Sequence, residues 1–451
     1  MRRLFGTDGI RGIANELLSC ERAMAIGRAL GYILSSKHRY RPKVIIGMDT
    51  RISSEMLASA ISAGLCSVGS DVMSLGVVPT PAVAYLVQKY KAKAGIMISA
   101  SHNPYEYNGI KIFGENGTKL SDELEEQIES IVLDNTPPPK LASASEIGKR
   151  FDTPYALHDY ITYLMHTTDT SLDGMRIAID ASYGSASVTA EEIFRGLGAD
   201  LVMLNDKPTG LNINDKCGST NLDALKNFVK ENKYEVGIAF DGDADRCLAV
   251  DENGCEIDGD FIMAILALNM KNKGELNKNT VVGTVMSNFG FQKFCEENGI
   301  NFIAAKVGDR YVLEMLNQEG YSFGGEQSGH LIIRKHATTG DGQLTAIALL
   351  SHIKESGKSL GELSRIMKKF PQHTVNITAT SDQKIAFFTD EEIKEIIRDT
   401  EEKLREIGRI VVRPSGTEPL IRIMVESPDE SETARIADEV AKAIKKRLES
   451  Y

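Results

Sequence analysis

Three stretches of this 451-residue chain repeat one plan. Residues 43–76, KVIIGMDTRISSEMLASAISAGLCSVGSDVMSLG, run from an apolar strand through a polar turn with Asp49 and Arg51. A helix-like segment, Gly69 and a second strand follow. Residues 175–204 do the same with Asp180, Ser182, Gly184 and Gly198, and residues 279–312 do so with Ser287, Gly290 and Gly299. Strand, turn, helix, glycine, strand is the signature of a βαβ unit. Such a unit implies a parallel sheet with covering helices, because parallel neighbours need a long crossover. The copies lie too far apart for a solenoid. One large α/β sheet is the plainer reading of the repeat; the expected fold class is α/β, with three similar mixed α/β domains in series.

The end of the chain follows a different pattern. HTVNITATSD and RIVVRPSGTEPLIRIMVES alternate like half-buried antiparallel strands, and residues 390–408 and 429–451 read as amphipathic helices. A smaller C-terminal α+β domain is expected. Turn-rich and polar stretches divide the chain into 1–153, 154–256, 257–369 and 370–451.

Composition narrows the setting. The six cysteines lie far apart and form no C-x-x-C pair, so neither a zinc ribbon nor a redox dithiol is suggested. MRRLFGTDGIRG has no apolar stretch of the kind a secretory leader carries, and no apolar run approaches the ~18 residues of a membrane span. A cytoplasmic protein with reduced thiols and no membrane partner is expected. The net charge of −11 argues against broad nucleic-acid binding, though not against an anionic small molecule held by a few arginines.

Four short segments carry chemistry. In VGIAFDGDADRCLAVDENG, the carboxylates Asp241, Asp243 and Asp245 stand at every second position. Such crowding is unfavourable without a cation, and oxygen-only ligands suit a hard ion such as Mg²⁺ or Ca²⁺. An EF-hand fits poorly, because Arg246 occupies the obligatory glycine position and a strand precedes the loop, while a solvated acidic turn is the plainer alternative. Arg246 beside such a site suits a phosphoryl group. VRPSGTEPLIR offers Arg413, Ser415, Gly416 and Thr417 as a phosphate cradle or, more plainly, a tight turn. FGGEQSGHLII supplies Glu326, Ser328 and His330, suited to sugar hydroxyls or to a surface turn. GIMISASHNPYEYNGIK sets Ser101 beside His102 at the mouth of a buried strand, with Lys111 downstream. Hydrolysis, a plain turn and a phosphoryl-carrying serine are all compatible with that segment alone. LFGTDGIRG adds Thr7 and Arg11 at the chain start. No Walker A sequence, no dinucleotide fingerprint and no G-x-S-x-G elbow occurs, so a P-loop kinase, a Rossmann enzyme and an α/β-hydrolase are unsupported.

Together these segments resemble the α-D-phosphohexomutase superfamily. SASHNP is similar to its phosphoserine loop, DGDADR to its metal loop, GEQSGH to its sugar loop and RPSGTEP to its phosphate loop, in the family's order. The resemblance implies four domains around a central cleft. FGTDGIRG and Gln327 resemble the branch acting on glucosamine phosphates; branches acting on glucose or mannose phosphates more often carry another residue at the glutamine position. The implied activity is interconversion of glucosamine 6-phosphate and glucosamine 1-phosphate through a hexosamine 1,6-bisphosphate, supplying UDP-N-acetylglucosamine synthesis. It further implies that Ser101 is a phosphoserine. Ser101 with Asp241, Asp243 and Asp245 would then hold one Mg²⁺. His102, Lys111 and Arg246 are the candidates for proton transfer and charge stabilisation. Thr7, Arg11, Glu326, Ser328, His330, Arg413, Ser415, Gly416 and Thr417 would bind substrate. A homodimer is implied by analogy.

Overall fold

A computed structural model describes residues 3–6, 8–37, 41–415 and 419–451. The chain divides into two compact units. The first comprises residues 1–284 and 300–365, and the second residues 285–299 and 366–451.

The first unit contains three sheets. The first sheet is built from β1 (Ile10–Ile13), β2 (Lys43–Met48), β3 (Asp71–Val77), β4 (Ala94–Ile98), β5 (Tyr107–Gly114) and β6 (Arg150–Asp152), in the order β1-β5-β4-β2-β3-β6. The second contains β7 (Arg176–Asp180), β8 (Asp200–Leu204), β9 (Val236–Phe240), β10 (Cys247–Asp251) and β11 (Glu256–Ile257), in the order β11-β10-β9-β7-β8. The third contains β12 (Thr280–Thr284), β13 (Asn301–Ala305), β14 (Phe323–Gly325) and β15 (Leu331–Ile333), in the order β13-β12-β14-β15.

One four-strand pattern recurs in all three. A first strand lies between a second and a third, both parallel to it, and a fourth strand runs back antiparallel along the third. This describes β3-β2-β4-β5, β8-β7-β9-β10 and β13-β12-β14-β15. The sequence repeat corresponds to the first two strands and their crossover. The turn from third to fourth strand leaves the carboxyl end of a parallel strand, where α/β sheets carry ligands. Ser101 lies in that turn of the first sheet, Asp241 to Arg246 in the second, and Glu326 to His330 in the third.

The parallel strands are apolar on both faces, as burial beneath helices requires. All five residues of β4 and all five of β9 are buried. Over the first sheet, the helices Cys20–Lys37 and Ser54–Ser67 approach so closely that side chains are excluded at the crossing. A Cβ on Gly27 would lie 2.4 Å from the Ile61 carbonyl oxygen, and one on Gly64 would lie 2.1 Å from that of Met24. The core beneath includes Ile26, Ile61, Val44, Ile96 and Ile110. Each such side chain contributes roughly 1.5–3 kcal/mol on burial.

The second unit is the expected α+β piece. β16 (Gln372–Thr378), β17 (Arg409–Pro414) and β18 (Leu420–Glu426) form an antiparallel sheet in the order β16-β18-β17. Its core joins Ile377, Ile421, Ile423 and Val425 to Ile393 and Ile444 of the helices Glu391–Leu404 and Glu430–Leu448. The helix Phe289–Glu297 groups with this unit. Asn288 bonds both the amide (2.9 Å) and the carbonyl (3.0 Å) of Phe370.

No helix among the described residues is long and apolar enough to cross a membrane.

Candidate active site

The serine loop follows β4 directly. Ser101 is buried and sits in the left-handed backbone region with φ of 53°. For a residue with a Cβ that conformation costs about 1–2 kcal/mol, so surrounding bonds must hold it. Its amide donates to Ser99 Oγ (2.9 Å), and Ser99 Oγ donates to Asp49 Oδ2 (2.6 Å). Arg51 Nε bonds the same carboxylate (2.8 Å), and its terminal nitrogens reach the carbonyls of Ser101 (2.9 Å), Asn103 (2.8 Å) and Tyr107 (3.1 Å). Arg51 also bonds the Pro104 carbonyl. Asp49 and Arg51, both buried, therefore organise the whole loop.

Ser101 Oγ donates to Asp241 Oδ2 at 2.5 Å and stands 3.5 Å from His102 Nδ1. Asp241, Asp243 and Asp245 are buried, and one oxygen from each lies within 4.8 Å of the others. Thr80 Oγ1 donates to Asp243 Oδ2 at 2.5 Å. Lys111, on β5 and 1% exposed, reaches Asp243 Oδ2 (2.8 Å), Asp8 Oδ2 (3.1 Å) and Asp245 Oδ2 (3.3 Å). The Oδ1 atoms of Asp243 and Asp245 are buried without a hydrogen-bond partner. Two orphaned carboxylate oxygens in an all-oxygen set are what a hard divalent cation satisfies. The triad therefore fits a metal ion.

Alternating charge extends away from the triad. Asp8 also pairs with Arg11 and, at 2.5 Å, with Lys119, which meets Asp309 Oδ2 at 2.5 Å. Burial, then Asp245 and Asp243, push Asp241 well above the usual carboxylate range. Burial acts the same way on Asp245, but Lys111, His330 and Arg246 outweigh it and hold that carboxyl low. Burial opposes the Lys111 ammonium, yet Asp243, Asp8 and Asp245 keep its pKa well above the ordinary lysine value. For His102 burial and the cations Arg246 and Arg11 act together, lowering it to about 4, so its ring is neutral near pH 7.

His330 faces Asp245 Oδ2 through Nδ1 at 3.6 Å, while its Nε2 accepts from the Gly340 amide at 3.0 Å. Burial lowers its basicity, and Asp245 and Asp309 raise it to about 9. The carboxylates therefore favour the charged ring, against the Gly340 amide, whose bond needs a lone pair on Nε2. Arg246 lies with Nε 3.9 Å from Asp245 Oδ1 and 4.0 Å from Asp241 Oδ2. Its Nε and that of Arg11 have no hydrogen-bond partner. In the third loop, Glu326 accepts from the Gly308 amide (3.1 Å) and Gln327 donates to Asp258 Oδ2 (3.3 Å). Ser328, the next residue in the loop, is half-buried.

Ser101, His102, Lys111, Arg246, the three aspartates and His330 thus converge. Arg11 joins them through Asp8, and Glu326 through its field at Arg246 and His330. Arg413 and Ser415 belong to the second unit. Arg413 pairs in register with Arg422, the Ser415 amide donates to the Leu420 carbonyl (2.8 Å), and its carbonyl accepts from Lys384 (2.7 Å). Thr7, Gly416 and Thr417 lie outside the described residues. Sequence reasoning assigned no role to Asp8, Thr80, Lys119, Asp309 or Asn214. Asp49 and Arg51 gave the one usable signal, an acid and a base directly after a buried strand.

Comparison with known proteins agrees with this architecture. Models of the phosphoglucomutase/phosphomannomutase family match in four parts: alpha/beta/alpha domain I at residues 2–138, domain II at 158–254, domain III at 258–370 and the C-terminal domain at 374–443. The phosphoglucosamine mutase of Acetivibrio thermocellus is 49% identical over 448 residues, covering 99% of this chain and 100% of that protein. That of Thermoanaerobacter sp. is 50% identical over 448 residues with the same coverage. Among solved structures, a phosphoglucomutase/phosphomannomutase family protein from Burkholderia thailandensis superposes with a TM-score of 0.82 at 22% identity, covering 99% of this chain and 98% of that one. Aspergillus fumigatus N-acetylphosphoglucosamine mutase, solved with GlcNAc-6P and magnesium, gives 0.64 at 15% identity, covering 98% and 96%. These two share the fold. Four domain matches along the chain, and relatives about half identical over nearly its full length, place this protein in the phosphoglucomutase/phosphomannomutase family.

Proposed function

We propose that this chain is a phosphoglucosamine mutase. It interconverts glucosamine 6-phosphate and glucosamine 1-phosphate through a phosphoserine at Ser101 and a hexosamine 1,6-bisphosphate. The observation that carries the reading is the 2.5 Å bond from Ser101 Oγ to Asp241 inside a buried three-carboxylate cluster. The 49–50% identity to phosphoglucosamine mutases selects the sugar.

In the forward direction, the bond from phosphorus to Ser101 Oγ breaks as a bond from phosphorus to the sugar O1 forms. The O1 hydroxyl proton leaves to a base, and Ser101 regains a proton. The bisphosphate then presents its 6-phosphoryl group, which returns to Ser101 by the reverse events at O6. Neutral His102 can accept a proton beside Ser101 Oγ. Charged Lys111 can donate one or hold charge on the transferring oxygens. Arg246 and Arg11 supply further cationic nitrogens, and Arg413 and Ser415, with Gly416 and Thr417, would bind the phosphate that is not reacting. Glu326 and Ser328 would take sugar hydroxyls, with His330 fixing their loop beside Asp245.

A phosphoserine adds about −1.5 to −2 charges next to the triad. Asp241, Asp243 and Asp245 would hold a Mg²⁺ ion with it, and that ion supplies charge neutralisation and polarisation of the phosphoryl group. A cytoplasmic setting, a supply role in amino-sugar nucleotide synthesis and a homodimer complete the proposal.

The test is a comparison of kcat/KM for glucosamine, glucose and mannose 6-phosphates. Highest kcat/KM for the glucosamine ester supports the reading. Highest kcat/KM for another sugar would make the chain a phosphoglucomutase or phosphomannomutase instead.

A further inference from the structure

The Ser101 carbonyl accepts two side-chain bonds from loops of different sheets. Arg51 Nη2, after β2, contributes one at 2.9 Å. Asn214 Nδ2, from the loop after β8, contributes the other at 2.8 Å and also reaches the Asn103 carbonyl at 3.0 Å. Both carbonyls are thus shared by the same arginine and asparagine. The bonds fix the amide orientation: turning it over would set Oδ1 against two carbonyl oxygens. Asn214 Oδ1 is buried and has no partner.

The support behind Asn214 is itself strained and tightly bonded. Asn214 (φ 59°), Ser182 (φ 49°) and Tyr183 (φ 50°) all occupy the left-handed region. The Asn214 amide donates to the Ser182 carbonyl (2.9 Å), and Asp180 holds the amides of Ser182 and Gly218 (2.9 Å each). Thr50 Oγ1 donates to the Tyr183 carbonyl at 2.6 Å. The same turn grips the metal loop, since the Ser185 amide donates to the Gly242 carbonyl at 2.8 Å. One bracket of the second sheet therefore touches the serine loop through Asn214 and the aspartate loop through Ser185. Strain of this kind persists only where the surroundings over-determine it, and it clusters at working sites.

We infer that Asn214 is a positioning residue: it sets Ser101 Oγ against the aspartate triad by holding the serine's strained backbone to the bracket of the second sheet. Its bonds all go to backbone, so its effect is on the placement of the phosphoryl donor and not on sugar affinity. Misplacement of a reacting group by about 1 Å can cost on the order of a hundredfold in rate. The inference rests on the proposed mutase reading for its kinetic test, while its structural test stands apart.

Wild-type, Asn214→Ala and Asn214→Asp proteins are assayed with glucosamine 6-phosphate, Mg²⁺ and a trace of hexose 1,6-bisphosphate. Hydrogen exchange of residues 99–107 is followed in each. The expected result is a fall in kcat of about tenfold to a hundredfold for the alanine variant. KM should stay within about twofold, exchange should be faster in 99–107, and the loss should be larger for aspartate, whose carboxylate meets two carbonyls. Unchanged kcat, or a loss confined to KM, overturns the assignment. If the wild-type chain is no mutase, that result counts against the function alone. Exchange then decides: faster exchange in 99–107 supports the role and unchanged exchange overturns it. Asn214→Ser serves in the same two measurements if the alanine variant does not fold.

Discussion

Ser101 Oγ and Asp241 Oδ2 lie 2.5 Å apart although 140 residues separate them in the chain. Each stands just beyond the carboxyl end of the third strand of its own sheet, so the repeated topology, applied twice, makes the contact. The proposed phosphoserine beside a metal site needs this adjacency. Ser101→Ala should leave the fold intact, because only one oxygen is removed, and should reduce mutase turnover to background. Circular dichroism and a product assay check both halves; substantial remaining turnover removes Ser101 from the mechanism.

The triad should not function as a cluster of bare carboxylates. Chelation should abolish turnover and added Mg²⁺ should restore it. Asp243→Asn keeps the shape but removes one charge from the set, and should weaken Mg²⁺ binding by at least about tenfold, since even outer partners of metal ligands cost that much. Titration calorimetry reads the affinity directly, and an unchanged isotherm places the ion elsewhere.

Gly242 shows how little space separates the two loops. A Cβ there would meet the Ser101 carbonyl oxygen at 2.5 Å, Ile213 Cδ1 at 2.8 Å and Asn214 Nδ2 at 2.9 Å. The nearest of these is backbone that is already bonded on its other sides, so the loops must separate. Gly242→Ala should lower kcat by about a hundredfold with a much smaller change in KM. Wild-type kinetics would show that the loops have slack the structure does not suggest.

How much of this was legible follows from where each interaction is encoded. The βαβ units could be read because apolar strands and amphipathic helices leave a local periodicity. The aspartates could be read because three like charges at alternate positions have few explanations. The antiparallel hairpins that carry the loops were not read as part of the repeat, since β5, β10 and β15 leave only short apolar runs. Asn214 gave no signal, because its partners are backbone carbonyls more than a hundred residues away. Residues 285–299 read as the middle of a βαβ unit, and their grouping with residues 366–451 depends on Asn288 meeting Phe370 and Glu426. The charged state of Lys111 likewise depends on Asp8, Asp243 and Asp245, which only the folded chain assembles.

Asp390 predicts a pH dependence in the second unit. Its carboxylate caps the helix Glu391–Leu404 through the Ile393 amide (2.9 Å) and accepts from Arg447 Nε and Tyr451 OH (2.7 Å each). Burial opposes the charge, but these three donors prevail and lower its pKa to about 2. A carboxyl lowered in the folded state stabilises fully above its unfolded value of about 3.9, and that contribution disappears as pH falls through 2. Asp390→Asn keeps a capping oxygen and loses the charge. It should speed hydrogen exchange in residues 391–404 at pH 7, with the gap from wild type closing between about pH 4 and pH 2. A gap independent of pH would mean the charge is irrelevant.

The central claim is transfer of a phosphoryl group between Ser101 and the two ends of glucosamine phosphate. A ³¹P NMR time course with the full chain, Mg²⁺, a trace of hexose 1,6-bisphosphate and glucosamine 6-phosphate observes it directly. The account predicts a growing anomeric phosphate signal, a phosphoserine resonance that is absent from Ser101→Ala, and no inorganic phosphate. Inorganic phosphate as the sole product would contradict it and make the chain a phosphatase.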